Sequence, residues 1–207
     1  MNSCQEHEYI DLGLPSGTLW AACNVGANTP EGYGDYFAWG ETQPKDFYNW
    51  ATYKFGSDVD GRNLYTKYCN NPIFGYNGFS DNLSTLQSID DPAATNWGSS
   101  CHTPTRAEWI ELLNNTSWRW RSLNDVNGIM FFSKNNGHMI FLPATGYHNV
   151  EDPSSMDSFG EYWSSSLSIL DPRNAWYFYF NNRYYDMYNF SRHYGRPVRP
   201  VRSVLQN

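Results

Sequence analysis

Aliphatic side chains are nearly missing from the stretch where this chain is most distinctive. "NNRYYDMYNFSRHYG", residues 181–195, contains one, Met187. Such a segment cannot bury itself without leaving many polar groups unpaired, so it is expected at the surface. The chain also lacks any run of about 18 apolar residues, which removes a membrane-spanning helix from its sequence-level reading. Cys4, Cys23, Cys69 and Cys101 form no Cys-x-x-Cys pair, so no zinc knuckle is read. Their even number permits disulfides in any of the three pairings. Charged residues are only 17% of the chain and the net charge is -7, which excludes a general nucleic-acid binder with a basic stripe. Arg192, Arg196, Arg199 and Arg202 do gather near the C-terminus, and read as strand-end surface charge. The opening "MNSCQEHEYIDLG" has no apolar core of a signal peptide, so either a leader is missing from this sequence or the protein leaves the cell without one, as a phage structural protein does.

What the chain has is aromatic side chains, 18% of its 207 residues, and each can bury roughly 150–250 Å². Few aliphatics, little Lys and much Tyr, Trp, Asn and Ser fit an extracellular protein. Gly and Pro are spread evenly and no linker is visible. The reading is one domain over residues 8–203, with short tails at 1–7 and 204–207.

"EYIDLGLPSGTLWAACNVGA" reads as two short strands about a Pro15-Ser16-Gly17 turn. Residues 42–88 read as long loops, which in a compact domain usually have a task. Two helices are signalled. Asp91 is an N-cap with Pro92 at N1 and Gly98 at the far end. Thr105 and Glu108 form a capping box, with Ala107, Ile110 and Leu113 expected on the core face. "GIMFFSK" and "HMIFLPA" flank an Asn-Gly turn and read as a hairpin. "EYWSSSL", "NAWYFYFN" and "RPVRPVR" complete a strand-rich C-terminal half, and the class expected is α+β.

In "NAWYFYFN" strand alternation puts Trp176, Phe178 and Phe180 on one face and Tyr177 and Tyr179 on the other. The first set is expected in the core. The second, with hydroxyl tips, is expected at the surface, because Tyr offers large contact area at low rotamer cost.

"YIDLGLPSGTLWAACNVGA", "YGDYFAWGET", "TNWGSS", "TPTRAEWIELLNN", "IFLPATGY", "EYWSSSL" and "RPVRPVR" resemble, in order, the bacterial major paralogous domain family. That family is related to C-type-lectin-like and formylglycine-generating-enzyme-like domains. The resemblance runs from about Glu8 to Arg202 and implies a C-type-lectin-like fold with two main helices, short antiparallel sheets and long loops. The frame at 174–202 further resembles the variable region of proteins diversified by retroelements. There, framework positions would be Trp163, Trp176, Phe180, Met187, Arg192, Gly195, Val198 and Arg199. Ligand-binding positions would be Tyr177, Tyr179, Arg183, Tyr184, Asp186, Tyr188, Asn189, Phe190, Ser191, His193 and Tyr194.

Two rival chemistries fit this sequence less well. A formylglycine-generating enzyme needs a cysteine pair late in the fold, whereas the last cysteine is Cys101. Cys101 and His102 are adjacent, and neighbours on a strand point apart. A calcium-dependent sugar lectin of this kind carries a Gln-Pro-Asp type loop, whereas Lys45 follows Gln43-Pro44 here. Asp58 with Asp60, or Asp90 with Asp91, offers carboxylates to a hard cation, but loop solvation and helix capping are the simpler uses. The expectation is therefore a non-enzymatic binding module with no cofactor and no metal. Its partner would be a protein or glycan receptor on a cell surface, met by an adhesin or a phage receptor-binding protein, without nucleic acid and without membrane insertion.

Overall fold

The strand expected from the alternation in "NAWYFYFN" sits in the middle of a sheet. In the computed structural model, which describes residues 4, 7–59, 61–149, 153–154 and 156–203, Asn174–Asn181 lies between two antiparallel neighbours. In chain order the strands are β1 (Tyr9–Asp11), β2 (Leu19–Ala21), β3 (Gly56–Val59), β4 (Arg62–Tyr65), β5 (Thr116–Leu123), β6 (Val126–Ser133), β7 (Met139–Pro143), β8 (Tyr147–His148), β9 (Pro153–Ser154), β10 (Phe159–Leu167), β11 (Asn174–Asn181), β12 (Tyr185–Ser191) and β13 (Val201–Arg202). They form three-stranded sheets β1-β2-β13, β5-β6-β7 and β10-β11-β12 and the hairpins β3-β4 and β8-β9. Most of the expected tail residues, 1–3, 5–6 and 204–207, lie outside the described residues.

The expected α+β class with two main helices is corrected to a mostly-β fold. Helix α1 spans only Pro92–Trp97. Pro92 sets its start, Asp91 caps it, and Gly98 at φ 108° stops it after six residues. Helix α2, Arg106–Asn115, is the one substantial helix among the described residues, and its Thr105–Glu108 capping box is formed. Its fully buried residues are Trp109 and Leu112, while the expected Ile110 and Leu113 are only partly buried against the same cluster and Ala107 is exposed. Trp109 decides the rotation: its ring meets Trp20 edge-on at 4.6 Å and stacks on Phe178 at 4.7 Å. No aliphatic at position 110 could fill that slot as well. Strand β5 was not expected. It pairs with β6 through a turn at Asn124 and Asp125, both at positive φ, a conformation that Asn and Asp tolerate better than most residues.

Two buried clusters flank the β10-β11-β12 sheet. On its inner face Tyr162, Phe178, Phe180 and Met187 join Trp20, Trp109, Leu112, Ile129 and Phe131. On its outer face Trp163, Leu167, Ala175 and Tyr177 join Trp39, Tyr48, Tyr53, Phe55 and Tyr68. The 42–88 region thus supplies part of the core, with buried rings between short turns and the β3–β4 hairpin. A disulfide joins Cys4 to Cys101, and the Tyr9 hydroxyl lies within 3.0 Å of both sulfurs. Cys23 and Cys69 are free.

Candidate functional site

The hairpin β11–β12 is in register, with Tyr177 opposite Tyr188 and Tyr179 opposite Asp186. Cross-strand partners share a face, so Tyr177, Tyr179, Asp186, Tyr188 and Phe190 belong to the outer face. Asn181 shapes the hairpin end: its Oδ1 accepts from the backbone N–H of Arg183 at 2.8 Å and of Tyr184 at 3.0 Å. Its Nδ2 donates to the Tyr179 hydroxyl at 3.0 Å. Tyr179 becomes the hub of a ring network, with centroids 5.5 Å from Phe159, 5.5 Å from Tyr184 and 5.9 Å from Tyr188. At the other end Tyr194 lies 5.3 Å from Phe190, 5.6 Å from Tyr147 and 4.7 Å from His193.

Most of the expected site residues converge. Arg183, Tyr184, Asp186, Tyr188 and Phe190 are exposed, and Tyr179, His193 and Tyr194 are half-buried. Tyr184, Tyr188 and Phe190 keep 47%, 40% and 46% of their surface open to solvent, a concentration of large rings seldom left idle. Two expectations need correction. Tyr177 is buried, because the loop cluster and Arg196 close over that end of β11. Asn189 and Ser191 pair with Trp176 and Asn174, which places them on the opposite side of the strand from Tyr188. Trp176, expected in the core, is only half-buried, with Arg106 lying 4.0 Å over its ring.

The arginines read as surface charge are the largest correction. Arg192, Arg196 and Arg199 are each buried to 2% exposure or less. Arg192 has no carboxylate partner among the described residues. Its guanidinium donates to the carbonyls of Lys67, Tyr68 and Pro172 and to the Tyr53 hydroxyl, and lies 4.3 Å over the Tyr65 ring. It fastens the 42–88 region to the C-terminal segment. Arg199 does the same for the N-terminal sheet, donating to Asn24 Oδ1 and to the carbonyls of Ala21 and Ala22. Arg196 packs on the outer face itself, over Tyr177. Its Nε donates to Glu161 Oε2 at 2.6 Å, and the guanidinium stacks on Tyr177 at 4.1 Å and Trp163 at 4.3 Å. Burial pushes the Glu161 carboxyl up despite the opposing pull of Arg196. Burial likewise pushes the Tyr177 hydroxyl up to about 12, so it is a neutral donor at any ordinary pH. The sequence signal for these three residues was their setting. Arginines interleaved with Gly, Pro and Val, beside a run of aromatics, match the planar stacking that Arg favours.

The other candidate groups have structural uses. Asp91 Oδ1 caps α1 through Ala93 and Ala94, and both its oxygens accept from Thr103. Asp90 takes Lys54 and Lys67. Asp58 accepts from the Gly61 N–H, and Lys45 pairs with Glu41 at 2.8 Å. Asp60 lies outside the described residues. Among the described residues no three His, Cys, Asp or Glu side chains are grouped to hold a metal ion. Cys101 is in the disulfide, while His102 Nε2 meets Glu108 Oε1 at 2.8 Å. No described helix is long and apolar enough to cross a membrane.

Residues 119–201 match a family described as a domain of unknown function (DUF8237). The match covers less than half of the chain, but includes the whole β10-β11-β12 sheet and all of the β5-β6-β7 sheet except the first three residues of β5. No curated protein and no solved structure matches the chain.

Proposed function

We propose that this protein is a non-enzymatic binding module. Its outer β11–β12 face meets a macromolecular receptor on a cell surface, as the tip of an adhesin or of a phage receptor-binding protein would. The observation that carries this reading is the ring network from Tyr184 through Tyr179 and Tyr188, exposed beside the buried Arg196–Glu161 pair. Rigid aromatic anchors over an ordered floor lose little entropy when a partner docks. Tyr184, Tyr188 and Phe190 would act as anchors, with Arg183 and Asp186 selecting polar groups on the partner. The cysteine pairing supports an oxidising, extracytoplasmic setting. Diversification of this face by a retroelement belongs to the same proposal. An adenine-rich near-copy of the 3′ end of the gene beside a reverse transcriptase would support it.

The test compares the wild type with a Tyr184→Ala/Tyr188→Ala/Phe190→Ala variant on arrays of bacterial and host cell surfaces, with and without a calcium chelator. Loss of binding in the variant, at unchanged melting temperature and regardless of chelator, is the expected result. Binding that survives the triple substitution, or that vanishes with chelator alone, would overturn the reading.

A further inference from the structure

A separate cleft opens beside the tyrosine face, between the β3–β4 hairpin and the start of β11. Its volume is about 630 Å³, large enough for a mono- or disaccharide. Trp50, Arg62, Asn63, Asn174, Ser191 and His193 line it. Trp50 is held in place by Tyr65, edge-on at 5.1 Å, and stands 6.4 Å from His193. The lining is richer in planar polar groups than a pocket for an apolar side chain would be. Amides, imidazole and guanidinium present paired donors and acceptors, which suit vicinal hydroxyls, while an indole suits the apolar C–H side of a pyranose ring.

The charge arrangement narrows the ligand further. Asp171 is already neutralised by Arg173, whose Nε and Nη2 donate to its two oxygens at 2.9 and 2.8 Å. Arg62 is exposed on β4 and makes no ion pair among the described residues. Burial, then the positive charges of Lys45 and Arg196, depress His193 to about 4, so the imidazole is neutral. With Asp171 and Arg173 paired, Arg62 is the uncompensated charge of the cleft lining among the described residues, a cation in a chain of net charge -7. We propose that the cleft binds an acidic saccharide, with Arg62 pairing its carboxylate and Trp50 lying against the ring. The cleft shares Ser191 and His193 with the 174–202 segment, but the inference does not rest on the tyrosine face binding a receptor.

The experiment titrates the intact chain with D-glucuronate, N-acetylneuraminate, D-glucose and acetyl-Gly-Gly, following the Trp50 indole and His193 imidazole signals by NMR. The acidic sugars are expected to shift both signals, and to bind at least about tenfold more tightly than glucose, since a charged acceptor strengthens the Arg contact. Arg62→Ala should abolish that preference and Arg62→Lys should keep part of it. Tyr188→Ala, which leaves the cleft intact, should not change it. Equal affinity for glucose and glucuronate, no shift with any sugar, or a peptide carboxylate binding as well as the sugar acids would each overturn the proposal.

Discussion

On the inner face of β11, Phe178 and Phe180 are wholly buried against Trp109 of α2 and the β5-β6-β7 sheet. On the outer face, two residues along the same strand, Tyr177 is closed in while Tyr179 is half open and its neighbours Tyr184 and Tyr188 are exposed. Both faces are aromatic, and ring chemistry alone does not separate them. What separates them is what lies above. The inner face meets apolar side chains at Phe178 and Phe180, while Arg106 lies over Trp176 near its start. The outer face is covered only at one end, by rings from the 42–88 region and by the Arg196 guanidinium. A cation packed across one end of the outer face orders the strand there and leaves the rim beyond it open.

The largest expected loss on the inner side comes from Phe178→Ala. It removes the ring that stacks on Trp109 and should cost about 3–5 kcal/mol in chemical denaturation, as other Phe truncations in cores do. The outer side has an equivalent in Arg196→Ala. Removing one partner of a buried ion pair leaves Glu161 charged and alone, which should again cost about 3–5 kcal/mol. An Arg196→Met/Glu161→Met pair should recover much of that loss, because no unpaired charge remains. A double variant no more stable than Arg196→Ala would mean that Arg196 stabilises mainly by stacking on Tyr177 and Trp163.

At the exposed rim the balance reverses. Tyr184→Ala and Tyr188→Ala should leave the melting temperature unchanged, while receptor affinity falls roughly 30-fold if the ring is an anchor. A lower melting temperature without loss of affinity would place these rings with the inner face after all.

Much of this division was legible from alternation. The register of β11, the exposure of Tyr184, Asp186 and Tyr188, the Thr105 capping box and the first-strand turn all follow from local rules of spacing. The mostly-β class was obscured because "PAATNW" begins like any helix, and only its length shows it to be a minor one. Strand β5 was hidden by its polar face, "TSWRWRSL", whose Arg119 and Arg121 alternate with half-buried Trp118 and Trp120. Tyr177 and the buried arginines were not legible, for a different reason. Their burial depends on residues well over a hundred positions away, such as Phe37, whose backbone pairs with that of Arg196 and whose carbonyl accepts from Trp163 Nε1. No window along the sequence contains both sides of such a contact.

The smallest effect contrasts two histidines on opposite sides of the sheet. His102 precedes α2. Burial alone would lower its pKa, but the hydrogen bond and charge of Glu108 outweigh that and raise it above its ordinary 6.5. Burial likewise opposes the ionised Glu108, and His102 with Thr105 still brings its pKa below 4.5. The stability from His102 is therefore fully present below about pH 6.5 and lost as pH rises through its raised value. That from Glu108 is present above about pH 4.5 and lost as pH falls through its lowered value. His193, depressed to about 4, does the reverse of His102: it stabilises nothing at neutral pH, and holding it neutral costs progressively more as pH falls from 6.5 toward 4. Between pH 6.5 and 4.5 the His102 contribution is constant while the cost of His193 grows, so the melting temperature of the wild type should fall from this source as pH is lowered. His102→Gln should lower stability in that window by less than about 1 kcal/mol, because the pair is partly open to water. His193→Gln should raise stability at the acid end. Imidazole titration by NMR reads the two sites separately. A His193 that titrates above His102 would show that the outer end of the sheet is wetter and less positive than its packing indicates.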